Sequence, residues 1–334
     1  MKYMPKILHH LFKIDLREVD FARRGFHCSR PEVRERLEHV GRTFLQGYHA
    51  ALQAGNDADL VEKLEAVELA HRGFAYEGAA MALALLDGLT PQGKRLHKFL
   101  KGAGQRHIYM VHVGAGWACA RLPWLRWRIE SAISSYHPVL RWLAVDGYGF
   151  HEGYFHHRKT INEGKVPVRL SETARHVFFQ GLGRSLWFVH GADVLEISQT
   201  IASFHPRFRG DAWSGVGLAC GYAGGIERPE VEELRWRAGL HVSSVAQGAA
   251  FAAKARQLAG NPATHTELAC EVLCGMNSER AAALCDHTLN QVRSVGPSPY
   301  QRWRELLRNS LVSSLELRGN PHEFTSPMAT SKHP

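Results

Sequence analysis

Most of the signatures that betray a catalytic or binding family are missing from these 334 residues. There is no Gly-x4-Gly-Lys-Ser/Thr phosphate loop, no Gly-x-Ser-x-Gly elbow, no His-Glu-x-x-His and no paired-aspartate signature of a terpene cyclase. Gly-x-Gly occurs at Gly114 and Gly215, but in helical surroundings rather than after a strand, which argues against a dinucleotide site. The six cysteines form no Cys-x-x-Cys or haem-attachment pattern and are too few for a disulfide framework in a chain this long. Cys119 and Cys220 read as core packing, and Cys270 and Cys274, four apart, lack the two further ligands of a zinc site. Period-two alternation is nowhere sustained, so strands are not expected. The longest apolar run, Gly78 to Leu86, is far short of the ~20 residues that cross a bilayer. The first ten residues lack the apolar stretch and cleavage site of a signal peptide, so the expected compartment is the cytoplasm.

The basic residues lack concentration. A net charge of +9 is spread over short groups such as Arg23-Arg24 and Arg302 to Arg308, with no long stripe interleaved with stacking aromatics. That excludes nucleic acid as an expected partner. A membrane-bound partner, holding the protein at the inner membrane surface, fits such a surface better. With 45% hydrophobic and 22% charged residues, the chain has the balance of a globular protein able to bury a core.

What is present concentrates at residues 147–159, where His151, His156, His157 and Glu152 stand among Tyr148, Phe150, Tyr154 and Phe155. In a helix Tyr148, Glu152 and His156 fall on one face, and a carboxylate and an imidazole in that register can share a proton or grip a metal ion. Before this stretch, residues 1–30 read as a basic, amphipathic lead-in. A helix is expected from Pro31, with Ser29 able to cap it, through Val33, Leu37, Val40, Phe44 and Tyr48. A second is expected over residues 57–69. From Gly73 to about residue 258 the chain turns rich in Gly and Ala, punctuated by aromatics. Glycine inside a helix costs about 0.5–1 kcal/mol against alanine, so its recurrence points to tight helix crossings or a bound ligand. Later helices are expected after Asn261-Pro262, after a Ser278 cap and over 300–317, with a disordered tail at 319–334.

The Gly/Ala-rich region reads as duplicated. Glu77-Gly78 matches Gln180-Gly181, Gly114-Ala-Gly116-Trp-Ala-Cys119 matches Gly215-Val-Gly217-Leu-Ala-Cys220, and Glu152-Gly153 matches Gln247-Gly248. The expected fold is therefore all-α: one domain over 31–318, a multi-helix bundle or helical array with repeat halves at about 73–160 and 175–258. Comparing the halves isolates polar residues specific to the first. Tyr148, His151, His156 and His157 stand against Ser243, Ala246, Phe251 and Ala252, His112 against Trp213, and Glu77 against Gln180. Glu77, His112, Glu152 and His156 form the preferred inward-facing set, with His151 and Tyr148 beside them.

Three readings of that set stay open. As acid–base groups, Glu152 and His156 would move protons on a bound substrate, each tuned by burial and by the other. As ligands, Glu77, His112, Glu152 and His156 would hold a transition metal in a bundle interior. As structure, they would be a satisfied polar network. Trp117, Phe150, Phe155, Trp187, Arg184, His190 and Asp193 are the candidate substrate-binding residues, the aromatics lining an apolar pocket.

Several strings resemble the UnbL-type family, a domain of unknown function associated with enediyne biosynthesis. They include Arg72-Gly-Phe-Ala-Tyr-Glu-Gly-Ala-Ala80, Tyr109-Met-Val-His-Val113, Asp146-Gly-Tyr-Gly-Phe-His-Glu-Gly-Tyr154, Gly181-Leu-Gly-Arg-Ser-Leu-Trp187 and Gly260-Asn-Pro-Ala-Thr-His-Thr-Glu267. The likeness runs from about residue 10 to 290. It implies a place beside a polyketide synthase that makes a polyene, with a membrane protein like an electron-transport subunit and a propeller-type repeat protein as companions. It implies no residue roles. The resulting expectation is an accessory enzyme of specialised metabolism acting on a hydrophobic polyene-type molecule by redox or acid–base chemistry; a non-catalytic helical carrier or scaffold is the alternative.

Overall fold

The computed structural model describes residues 12–90, 93–122, 137–167, 170–292 and 298–316. The first eleven residues of the lead-in and the tail 319–334 lie outside these. Among the described residues there are helices and no strands, so the protein is all-α. Fourteen α-helices longer than a single turn follow one another among the described residues. They are α1 (Pro31–Gln53), α2 (Asp57–Glu65), α3 (Arg72–Leu89), α4 (Arg95–Lys101), α5 (Ile108–Arg121), α6 (Leu143–Phe155), α7 (Glu172–Val189), α8 (Val194–Ser203), α9 (Pro206–Ala223), α10 (Arg228–Ala238), α11 (Val242–Ala259), α12 (Thr264–Ala269), α13 (Ser278–Asn290) and α14 (Pro299–Glu316). No helix is long and apolar enough to cross a membrane among the described residues.

Local chemistry sets many of the helix starts. Asn56, Ser171, Asp193 and Asn277 each accept a first-turn backbone N–H through their side chains, filling a donor that the helix cannot. Two expected caps are displaced by one residue. Arg30, not Ser29, is the N-cap of α1, because Pro31 with its fixed φ already occupies the first helical position. Asn277, not Ser278, caps α13.

Seven of the helices form one row in which each packs on the next: α1, α3, α5, α6, α7, α9 and α11. A paired glycine makes each approach close. Gly114 and Gly116 lie on α5, Gly147 and Gly149 on α6, Gly181 and Gly183 on α7, Gly215 and Gly217 on α9. A helix turns about 100° per residue, so positions two apart point in nearly opposite directions. The first glycine of each pair therefore faces the preceding helix of the row and the second faces the following one. A Cβ at Gly147 would collide with the Val113 carbonyl, and one at Gly149 with the Phe178 carbonyl. Contacts are reciprocal: Gly116 meets the Ala144 carbonyl while Gly147 meets that of Val113, so neighbours run antiparallel. Gly78 and Gly248 continue the series on α3 and α11, with Ala80 and Ala250 in the second position.

The recurring unit is thus one helix, not one half of the domain. The leading glycines Gly78, Gly114, Gly147, Gly181, Gly215 and Gly248 follow at intervals of 36, 33, 34, 34 and 33 residues. The expected halves 73–160 and 175–258 matched because three such steps separate Gly116 from Gly217. The pairing of Glu152-Gly153 with Gln247-Gly248 is six residues out of register. Asp146-Gly147 is the counterpart of Gln247-Gly248, each glycine meeting the preceding helix.

The row curls until its ends meet. Phe74 of α3 packs edge-on to Tyr222 of α9 at 5.0 Å. Arg36 of α1 donates to the Ala223 carbonyl at 2.7 Å, and Arg256 of α11 to the Ala70 carbonyl at 3.1 Å. The lead-in, expected as a basic arm, closes part of this ring from residue 12 onward. Phe12, Ile14, Val19, Phe21 and Phe26 are all buried, and the backbone N–H of Phe21 donates to Glu38 on α1 at 3.0 Å.

Substitution at a crossing has a sign opposite to helix propensity, which makes it diagnostic. Alanine in place of a helical glycine should add about 0.5–1 kcal/mol, but at Gly181 the new Cβ strikes the Asp146 carbonyl. Gly181→Ala is expected to cost roughly 1–3 kcal/mol or more in urea unfolding, whereas Gly55→Ala, with open space around it, should stay within about 0.5 kcal/mol. A neutral or stabilising Gly181→Ala would overturn the backbone-contact account.

Candidate functional site

The ring encloses a narrow cavity with about 660 Å³ of atom-free space, part of it open to solvent. Helices α1, α3, α5, α6, α7 and α9 form its walls, and Glu18 and Val19 of the N-terminal segment reach its edge. The lining is mostly apolar, with aromatic rings prominent in it. Trp117 stands at the centre, its ring 4.4 Å from that of Phe44, 5.1 Å from Phe150 and 5.9 Å from Phe155. Phe74, Tyr154, Phe188 and Tyr222 complete the apolar surface.

Two buried charged side chains, Glu77 and Arg184, also line the cavity. Glu77 is 4% exposed, and its Oε1 accepts the indole N–H of Trp117 at 3.1 Å. Burial pushes its carboxyl up to about 7; Arg184 pulls the other way, and nearby Asp146 adds to the rise. Arg184, 6% exposed, lies with its guanidinium carbon 4.7 Å from the Phe150 ring centre. Its Nη2 is 2.8 Å from Asp146 Oδ1, an ion pair by distance that lacks hydrogen-bond alignment: neither Nη2 nor Nε makes a hydrogen bond. A buried guanidinium with idle donors is costly unless something accepts from them.

Behind this pair lies a polar layer built by the repeat. Glu77, Asp146, Gln180, Ser214 and Gln247 each precede a leading glycine, and all are buried. Gln180 Nε2 donates to Asp146 Oδ2 at 2.8 Å and to Tyr300 Oη at 2.9 Å. Arg304, fully buried on α14, donates to Asp211 at 2.7 Å and to Gln247 at 3.2 Å, and Asp211 also holds His176 Nδ1 at 2.6 Å. Burial raises the Asp146 carboxyl despite Arg184 and Gln180.

The expected site residues do not gather in one place. Glu77, Trp117, Phe150, Phe155 and Arg184 come together on the cavity. His151, Glu152 and His156 gather separately at the C-terminal end of α6, with Glu152 Oε1 and Oε2 at 3.2 and 3.3 Å from the Nδ1 atoms of His151 and His156. Burial alone would raise Glu152, but the two histidines outweigh it and hold the carboxyl below its usual range. His112 is buried apart, its Nδ1 2.7 Å from the Ile108 carbonyl, and burial lowers its pKa to about 4. The ligand set Glu77, His112, Glu152 and His156 is therefore corrected: those four side chains do not converge on one point, whereas His151, Glu152 and His156 do.

Other expected positions lie off the cavity. Trp187 is fully buried in packing and donates to the Gly224 carbonyl at 2.9 Å. His190 and Asp193 line a separate polar groove with Arg30 and Glu230, where Asp193 caps α8 and His190 meets Thr200 at 2.9 Å. Tyr148 is half-buried, edge-on to Phe178 at 5.5 Å. His265 is pressed between Arg36 and Arg256 as part of the ring's closure. Asp146 was missed, along with Phe44, Phe74 and Tyr222, whereas Phe188 was expected among the inward aromatics and lines the cavity. The signal for Asp146 was available in its place before Gly147, matching Glu77 before Gly78 and Gln180 before Gly181.

A family model described as "Protein of unknown function (DUF1702)" matches residues 3–311. No curated protein and no solved structure matches the chain.

The raised Glu77 carboxyl makes stability depend on pH with a definite sign. A group whose pKa rises on folding contributes fully below its unfolded value, near 4.5, and loses that contribution as pH climbs through about 7. Between pH 4 and pH 8 the wild type should lose ~3 kcal/mol of unfolding free energy relative to Glu77→Gln. Urea titrations of both proteins across that range measure the difference; a flat difference would remove the poised carboxyl from the site.

Proposed function

The chain belongs to the DUF1702 family of proteins of unknown function, and within it we propose an enzyme that encloses a slender, polyene-like molecule and shifts a proton along it. The reading rests above all on one observation: a buried carboxyl poised near neutrality and a buried guanidinium with idle donors share a mostly apolar cavity rich in aromatic rings. Protonated Glu77 and Arg184 both donate, so the end of the ligand they suit carries an acceptor oxygen, as in a conjugated carbonyl compound. The O–H proton of Glu77 passes to that oxygen, the double-bond electrons move along the chain, and the carboxylate takes a proton back from a carbon. The net result is an isomerised ligand and a regenerated acid, with no outside oxidant needed. Exclusion of water by the aromatic walls strengthens both donors.

The wider setting is part of the proposal. The likeness to the UnbL-type family supports a role in enediyne or polyketide-type specialised metabolism, where the enclosed molecule is a polyene. A membrane electron-transport-like protein and a propeller-type repeat protein are the proposed partners, and desaturation of the chain would draw on the first of them.

A conjugated polyene carbonyl probe tests the cavity and the chemistry separately. The expected outcome is saturable binding with enhanced probe fluorescence, lost in Ala219→Trp, which fills the cavity wall, and weakened at least tenfold in Arg184→Met (more than ~1.4 kcal/mol). In D2O the wild type should place deuterium on the chain of the bound probe; Glu77→Gln should bind it and exchange none. Binding without exchange in the wild type would replace the enzyme by a carrier. No binding would remove both readings.

A further inference from the structure

We propose that His151, Glu152 and His156 form a binding site for one divalent first-row transition-metal ion at the C-terminal end of α6. Local geometry brings the three together. Glu152 and His156 are four apart, the spacing that puts two side chains on one helix face. The helix ends at Phe155, and His156 adopts φ −125° and ψ 31°, which frees its ring to turn toward Glu152. His151 approaches the other carboxylate oxygen from inside. Donor separations of 3.2 and 3.3 Å bracket the carboxylate, and one ligand atom from each residue lies within 4.8 Å of the others. An ion at about 2.0–2.2 Å from each donor needs neighbouring donors roughly 3 Å apart, so modest side-chain rotation completes the coordination.

The donor set is two imidazoles and one carboxylate, which suits a borderline divalent ion and leaves the remaining positions to water. Exposure grades across the site in the way such a centre needs. The His151 side chain is 4% exposed, Glu152 17% and His156 51%, so one ligand is held rigidly and the outer face stays open to solvent. His151 Nε2 is buried with no hydrogen-bond partner, leaving the ring with one unused nitrogen. Burial favours the neutral, ligating form of that ring. Arg121, whose charge acts on His151, weighs against a dication and weakens the affinity.

A second trio, His39, Glu68 and His71, offers a built-in comparison. His39 and Glu68 are exposed and His71 is only half-buried, so this trio lacks the buried anchor that His151 provides. The α6 site is independent of the proton shift at Glu77, but it adjoins the same cavity. The His151 ring is 5.7 Å from that of Trp117 and 4.8 Å from that of Phe155, and both rings line the cavity. One aromatic layer separates the proposed ion from the enclosed space.

Cobalt(II) added to chelator-treated, tag-free protein tests the site by its visible absorption and by titration calorimetry. The expected result is one equivalent bound, displaced by zinc(II), with affinity at least tenfold weaker in Glu152→Gln and in His156→Ala. His156 is half exposed, so its removal leaves the fold intact, as a thermal melt will check. His71→Ala should leave binding unchanged. No saturable binding below millimolar cobalt would reduce the trio to a hydrogen-bonded cluster and overturn the proposal, as would equal binding by a Glu152→Gln/His156→Ala double variant. Neither result would touch the proton-shift reading, which is measured by deuterium exchange.

Discussion

Everything in this structure depends on helices touching backbone to backbone. At each crossing of the central row a glycine Cα lies against a carbonyl of the neighbouring helix, in the space a methyl group would fill. Two consequences follow. Axes that approach this closely leave little volume between helices, so the side chains flanking each glycine pair are directed inward or outward from the row. Because each pair serves both neighbours, the contact propagates and the row curls into a closed wall, sealed by Arg36 and Arg256 on carbonyls far away in sequence. The interior cavity is what remains when a ring of thin-walled crossings is filled with large aromatic rings that do not quite meet.

The same arrangement explains why charge is buried so deeply. The residue before each leading glycine is held in the wall by the crossing itself, and in five of the six positions it is polar: Glu77, Asp146, Gln180, Ser214 and Gln247. Such groups are costly to bury singly. Here Asp146, Gln180 and Tyr300 share hydrogen bonds, and Arg304 answers Asp211 and Gln247. Atoms without a hydrogen-bond partner remain at both ends of the layer, at Gln247 and Arg304 beside α14 and at Arg184 beside the cavity.

Much of the fold was legible in the sequence, and the site less so. Gly/Ala-rich segments without period-two alternation implied closely crossing helices, and those helices are present. Glu77, Trp117, Phe150, Phe155 and Arg184 were expected to face a pocket and do. Glu152 and His156 were expected beside them because Glu152-Gly153 resembles Gln247-Gly248 in composition, but the helix register places Asp146 in that role. A shift of six residues moves a side chain about 600° round a helix, or 120° from its starting face. Residue likeness alone cannot detect such a slip; only the carbonyl that each glycine meets reveals it.

The sequence by itself determined that the chain is helical, where many of its helices begin, and which segments could approach closely. Those properties arise within a few residues, from capping side chains, missing Cβ atoms and the 3.6-residue period. Tertiary structure decided which polar groups share the interior. Gln180 meets Tyr300 across 120 positions of chain, and Arg36 meets Ala223 across 187. Partners so distant are chosen by how the row closes, a property of the accumulated crossing geometry that no local stretch encodes.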